Sequence, residues 1–187
     1  MVSIAALWMP IILSAVLVFL ASSVIHMMLP WHKKDCADMP DQDKAMSALR
    51  SLNLAPGDYM VPKPASMADM KSEAFMAKAK LGPRVVMTVL PPWTGGMGRE
   101  LGLWFVFNLA VSVYAAYLAG TTLAAGTPYL RVFQVAGATA FACYAMGLWP
   151  ATIWFRKSMQ FTLNGTFDGL IYALLTAGTF GWLWPKM

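Results

Sequence analysis

The apolar run from Ile4 to Leu29, IAALWMPIILSAVLVFLASSVIHMML, contains no Asp, Glu, Lys or Arg. About 20 apolar residues cross the ~30 Å hydrocarbon core of a bilayer as a helix, so this run is long enough to span with some tilt. Pro10 falls in the first turns, where a missing N–H costs least, and Trp8 and Trp31 bracket the run as interfacial anchors. A secretory leader has a positive start and a short apolar core; here the run continues to Leu29 with no Lys or Arg before it, so a retained helix is expected.

Three further apolar stretches point the same way. Residues 101–123 and 129–154 read as spans, separated by the short uncharged turn Ala124–Pro128, with Pro150 expected to kink the end of the second. Residues 166–185 read as a fourth span. Within it Gly169, Ala173, Ala177 and Gly181 recur every four residues, so on a helix they lie one above another. Such a groove of small side chains lets a neighbouring helix backbone approach closely, which is how helices associate where the hydrophobic effect is absent. Composition agrees: the chain is 58% hydrophobic and 12% charged, against about 45–50% and about 25% for soluble domains.

The long interval between the first and second spans is different. Residues 33–100 hold ten of the 14 Lys and Arg and eight of the nine acids, so the net charge of +5 does not form a phosphate-tracking basic groove, and no nucleic acid partner is expected. Two amphipathic helices are expected. One opens at Asp38 with Pro40 in its first position and shows Ala45, Met46, Leu49 and Leu52 on one face. The other covers 67–80, with Ser66 and Asp69 in a capping-box relation. Gly82-Pro83 ends it, and Val85–Leu90 suits either a strand or a chain lying in the interface.

These readings give an all-α integral membrane protein of four transmembrane helices with a long, partly helical cytoplasmic segment. Its regions are a first helix over 1–31, the segment over 32–99 and a three-helix bundle over 100–187. Lys33, Lys34, Arg84, Arg99, Arg156 and Lys157 lie on one side, which the positive-inside rule places in the cytoplasm of an inner membrane, with both termini outside.

Three groups of residues are candidates for function. His26, Asn108 and Asp168 all fall near the predicted inner interface, where an imidazole beside a carboxylate can relay protons or bind a cation. Each also has a simpler reading: Asp168 in the first turn of its helix favours the helix dipole, His26 reaches the headgroups, and Asn108 bonds a neighbouring helix. Trp31, His32, Lys33 and Lys34 form an aromatic-basic edge suited to lipid headgroups, as does Arg131 at the other end. His26, Met27, Met28, His32 and Cys36 offer donor types suited to copper, but the 15 Met residues are spread through every segment without a repeated motif, so no metal is expected.

Cys36 and Cys143 sit in unlike surroundings and are not expected to pair. With only two histidines, six residues apart on one helix-to-loop boundary, no bis-histidine haem is expected. There is no Walker loop, GxSxG or HExxH pattern, and no catalytic residue or cofactor is identified. The expected function is non-enzymatic: an accessory subunit of a membrane complex or a self-associating structural protein, whose partners are the bilayer and other subunits or copies of itself. The alternative is a small oligomeric transporter or channel using His26, Asn108 and Asp168.

Overall fold

The computed structural model describes residues 1–186. Most of them are helical. The long helices are α1 (Trp8–Met28), α4 (Gly98–Thr122), α5 (Tyr129–Tyr144) and α7 (Met159–Trp182); the shorter ones are α2 (Gln42–Ser51), α3 (Glu73–Leu81) and α6 (Trp149–Phe155). Two strands, β1 (Gly57–Val61) and β2 (Val85–Val89), complete the set. The chain forms two compact units, one made of Met1–Ala37 with Gly96–Met187, the other of Asp38–Gly95.

In the first unit three stretches are long and apolar enough to cross a membrane: Ile4–Met28, Gly98–Thr122 and Tyr129–Phe155. The last of these contains a break. α5 ends at Tyr144, a 3₁₀ turn runs over Met146–Leu148, and α6 resumes at Trp149. The break therefore precedes Pro150, which sits in the first turn of α6, where a proline needs no N–H partner, and does not kink the helix. Arg156, in the left-handed region at φ 56°, ends α6. α7 then starts at Met159 rather than at 166, because the Ser158 hydroxyl accepts from the Phe161 amide at 3.2 Å and caps the helix there. α7 has 24 residues and carries Gln160, Asn164, Asp168 and four threonines; it is not among those three stretches.

α5 and α7 make the most extensive helix pair, and the small residues of α7 are the reason. A Cβ at Gly169 would lie 2.9 Å from the Ala145 Cβ, and one at Gly181 would lie 2.7 Å from the Tyr129 ring. Ala177 is fully buried, and a Cβ on Gly137 of α5 would sit 2.9 Å from it. The groove thus receives α5 along its whole length, with Gly137 as its small counterpart. α1 packs on α4 and α7, and α4 on α5. On α4 the buried residues Asn108, Val111, Ser112, Ala115, Ala116 and Ala119 follow helical spacing and form one inward stripe. Polar side chains inside the bundle are paired across helices: Ser14 donates to the Ser112 oxygen at 3.0 Å and Trp104 Nε1 to the Ser22 oxygen at 2.8 Å. One end is closed by an apolar cluster of Leu7, Ile11, Leu123, Val132, Phe180 and Trp184.

The second unit differs from the expectation in two respects and resolves one open alternative. First, α2 is capped by Asp41, whose carboxylate accepts from the Lys44 amide at 2.9 Å; Asp38 and Pro40 lie outside the helix. Second, Ser66 and Asp69 do bond, Asp69 N–H to Ser66 Oγ at 3.1 Å, but they open only a 3₁₀ turn; α3 begins at Glu73 under the cap of Ser72. Of the two readings of Val85–Leu90 the strand is the one formed: β1 and β2 pair antiparallel with Gly57 opposite Val89 and Val61 opposite Val85. A free interfacial chain would leave its backbone groups unpaired.

Candidate functional site

His26 stands in the last turn of α1. The helix stops at Met28, Pro30 follows, and a 3₁₀ turn over Trp31–Lys34 folds the chain back, so that the His26 and His32 rings lie side by side with centroids 4.4 Å apart. The turn is held from two sides. Within it, His32 Nδ1 lies 2.6 Å from Asp35 Oδ2. Across the bundle, Asn164 of α7 donates from Nδ2 to Asp35 Oδ1 at 2.6 Å and to the Trp31 carbonyl at 2.9 Å. The Trp31 ring packs edge-on against Phe167 at 5.8 Å. Residues 31–37 thus fall in the same compact unit as the long helices.

One helical turn beyond Asn164, on the same face, comes Asp168. Its Oδ2 lies 2.8 Å from His32 Nε2 and 4.0 Å from His26 Nε2. Asp168 is buried, and it sits in the third turn of α7, beyond the reach of the helix N-terminus. The simpler reading that places it in the first turn fails because α7 begins at Met159. The contact to His32 falls at ion-pair distance. Asp168 Oδ1, His32 Nε2, Trp31 Nε1 and the Tyr172 hydroxyl are buried without hydrogen-bond partners among the described residues. The donor atoms of His26, His32 and Asp168 lie within 4.8 Å of one another, close enough for one small cation.

Beside this cluster lies a cleft of about 580 Å³. Its polar end is His26, His32, Asp35 and Asp168, and its walls include Trp104, Phe107, Tyr144 and Tyr172. The helix break after α5 helps to shape it, since Gly147 and Leu148 of that turn line it too. A Cβ at Gly165 would lie 2.8 Å from Leu148 Cδ1, so the glycine lets the Leu148 side chain pack directly on α7.

Of the sequence candidates, His26 and Asp168 meet and Asn108 does not join them. Asn108 is buried on α4, and its Oδ1 accepts from the Tyr144 hydroxyl at 3.1 Å; the Tyr144 and Tyr172 rings, edge to face at 5.4 Å, stand between the two regions. The headgroup group also divides. Trp31 and His32 fold onto α7, while Lys33, Lys34 and Arg131 are exposed. Met27, Met28 and Cys36 are exposed as well, and both cysteines are free. Sequence reasoning missed His32 and Asp35 as a pair, Asn164 as their anchor and Tyr172 as a wall. The three-residue spacing of His32 and Asp35 and the four-residue spacing of Asn164, Asp168 and Tyr172 are the signals that point to them. No protein-family model, curated protein or solved structure matches the chain.

Proposed function

We propose that this protein is an integral membrane protein of four spans that binds a small amphipathic molecule at the end of its bundle nearest the basic loops. The observation that carries the reading is the cleft of about 580 Å³, whose aromatic walls suit an apolar body and whose imidazole–carboxylate end suits a polar head. Support for α7 as the fourth span comes from its 24 residues, about 36 Å of helix. It also packs on both α1 and α5, while Leu163, Phe167, Leu170 and Leu174 are exposed on its outer side. With the basic loops in the cytoplasm, both termini and the Leu7–Trp184 cluster lie outside. That apolar cluster closes the far end of the bundle, which favours binding over conduction through one chain.

Native mass spectrometry of the protein purified in mild detergent tests the reading. A lipid-like molecule should remain bound, and Gly147→Leu should displace it, because a side chain there enters open space in the cleft. If the wild-type protein carries no small molecule and takes none from a total lipid extract, the reading fails.

Association with another membrane subunit or a second copy is the second reading. It draws on the Asp38–Gly95 unit, where a groove of about 760 Å³ is lined by Leu49, Leu52, Val61, Leu81, Val85 and Met87, and where neither α2 nor α3 buries a residue. Leu49→Asp should then lower the mass of the detergent-solubilised particle to that of a single chain. A particle that already has that mass in the wild type excludes this reading.

A further inference from the structure

We infer that His26, His32 and Asp168 are the ligands of a divalent transition-metal ion of the zinc or ferrous type. The inference is independent of whether the cleft holds an amphipathic molecule.

Four observations converge on it. The first is the donor set: two imidazoles and one carboxylate with donor atoms within 4.8 Å of one another. Two histidines and one acid are the common protein share of an open zinc or non-haem iron site.

The second is the support behind His32. Asp35, as a carboxylate, can only accept, so it takes the Nδ1 proton at 2.6 Å. The lone pair of the neutral ring is then on Nε2, which faces Asp168. A carboxylate behind a histidine fixes tautomer and orientation in this way at metal sites. Here the carboxylate is itself fixed, by the Asn164 amide at 2.6 Å.

The third is charge. Asp168 is 4% exposed, and the only basic side chains within 4.0 Å of it among the described residues are the imidazoles of His26 and His32. A carboxylate at such a position requires a proton, an imidazolium or a metal to balance it. Nε2 of His32 lies 2.8 Å from Oδ2 of Asp168, and Oδ1 has no hydrogen-bond partner among the described residues. A shared cation accounts for both facts.

The fourth is distance. Bonds of ~2.1 Å in tetrahedral geometry separate donor atoms by about 3.4 Å. The Nε2–Oδ2 separations of 2.8 Å and 4.0 Å bracket that value. His26, with its side chain half exposed in the last turn of α1, is able to close the longer gap by ring rotation. Three protein ligands leave one position for water or for the molecule in the adjoining cleft, the pattern of an open site rather than a closed structural one.

The test uses the full chain without an affinity tag, in detergent, after chelator treatment and extraction of bound lipid-like molecules, which keeps the result separate from the cleft reading. Zinc(II) should bind at one equivalent per chain, and cobalt(II) should give the intense visible bands of a tetrahedral site. Asp35→Asn should weaken zinc binding by about 10–100-fold, the usual effect of losing the carboxylate behind a ligating histidine. His32→Gln and Asp168→Asn should abolish the stoichiometric site. Should either ligand variant fail to fold, the wild-type cobalt(II) spectrum still decides. A wild-type protein that binds neither ion stoichiometrically, or binds them equally well as His32→Gln, overturns the inference; the cluster is then a histidinium held between Asp35 and Asp168.

Discussion

Asn164 and Asp35 are 129 residues apart in the chain and 2.6 Å apart in space, Nδ2 to Oδ1. Through this bond α7 holds the turn that follows α1, and the turn in turn presents His32 to Asp168. The same amide also satisfies the Trp31 carbonyl, so a single side chain couples the first and last long helices at the candidate site.

Replacing Asn164 with Ala should therefore release the Trp31–Lys34 turn. Two hydrogen bonds at a partly buried position are lost, and two acceptors are left without them, at a cost of about 1–3 kcal/mol. Thermal unfolding in detergent measures this. An unchanged midpoint would show that the turn is held by other contacts, the Trp31–Phe167 packing first among them.

The α5–α7 contact should be sensitive to added volume from both sides. Ala177→Leu and Gly137→Leu enlarge facing positions, because a Cβ at Gly137 already comes within 2.9 Å of the Ala177 Cβ. Each should destabilise the bundle by about 1–3 kcal/mol, and the pair should cost less than the sum, since one separation of the helices relieves both. Denaturation of the single and double variants reads this directly. A groove that faced lipid would tolerate both changes.

Orientation is open to a direct labelling experiment. In a Cys36→Ser, Cys143→Ser background, a cysteine introduced at Ser72 should be protected from an impermeant reagent in whole cells and should react after lysis. Reaction in whole cells would place the Asp38–Gly95 unit outside and invert the topology.

In that unit Ser72 is the cap of α3, its hydroxyl accepting from the Phe75 amide at 3.1 Å. Ser72→Ala should destabilise the unit by about 0.5–2 kcal/mol, whereas Ser66→Ala should cost less because it caps only a 3₁₀ turn. Amide exchange across Glu73–Leu81 compared with Ile4–Met28 measures the loss locally, and faster exchange in both regions alike would show that the effect is not confined to α3.

Much of this protein is determined by its sequence alone, for reasons that are local. Three apolar stretches are long enough to cross a membrane as helices, and a helix is the structure that satisfies a lone segment's backbone in lipid. The four-residue recurrence of Gly169, Ala173, Ala177 and Gly181 requires a small-residue face on any helix they form. Tertiary structure decided the remainder. Nothing local to His32 says that Pro30 and the 3₁₀ turn return it to His26, and the aromatic-basic edge that Trp31–Lys34 resembles is an equally good use of the same residues. Nothing local to Asp168 says which groups it meets, because its partners come from a helix at the other end of the chain. The candidate site exists because α1 and α7 pack together, and the energy of that packing lies in contacts far along the sequence, which periodicity and spacing do not encode.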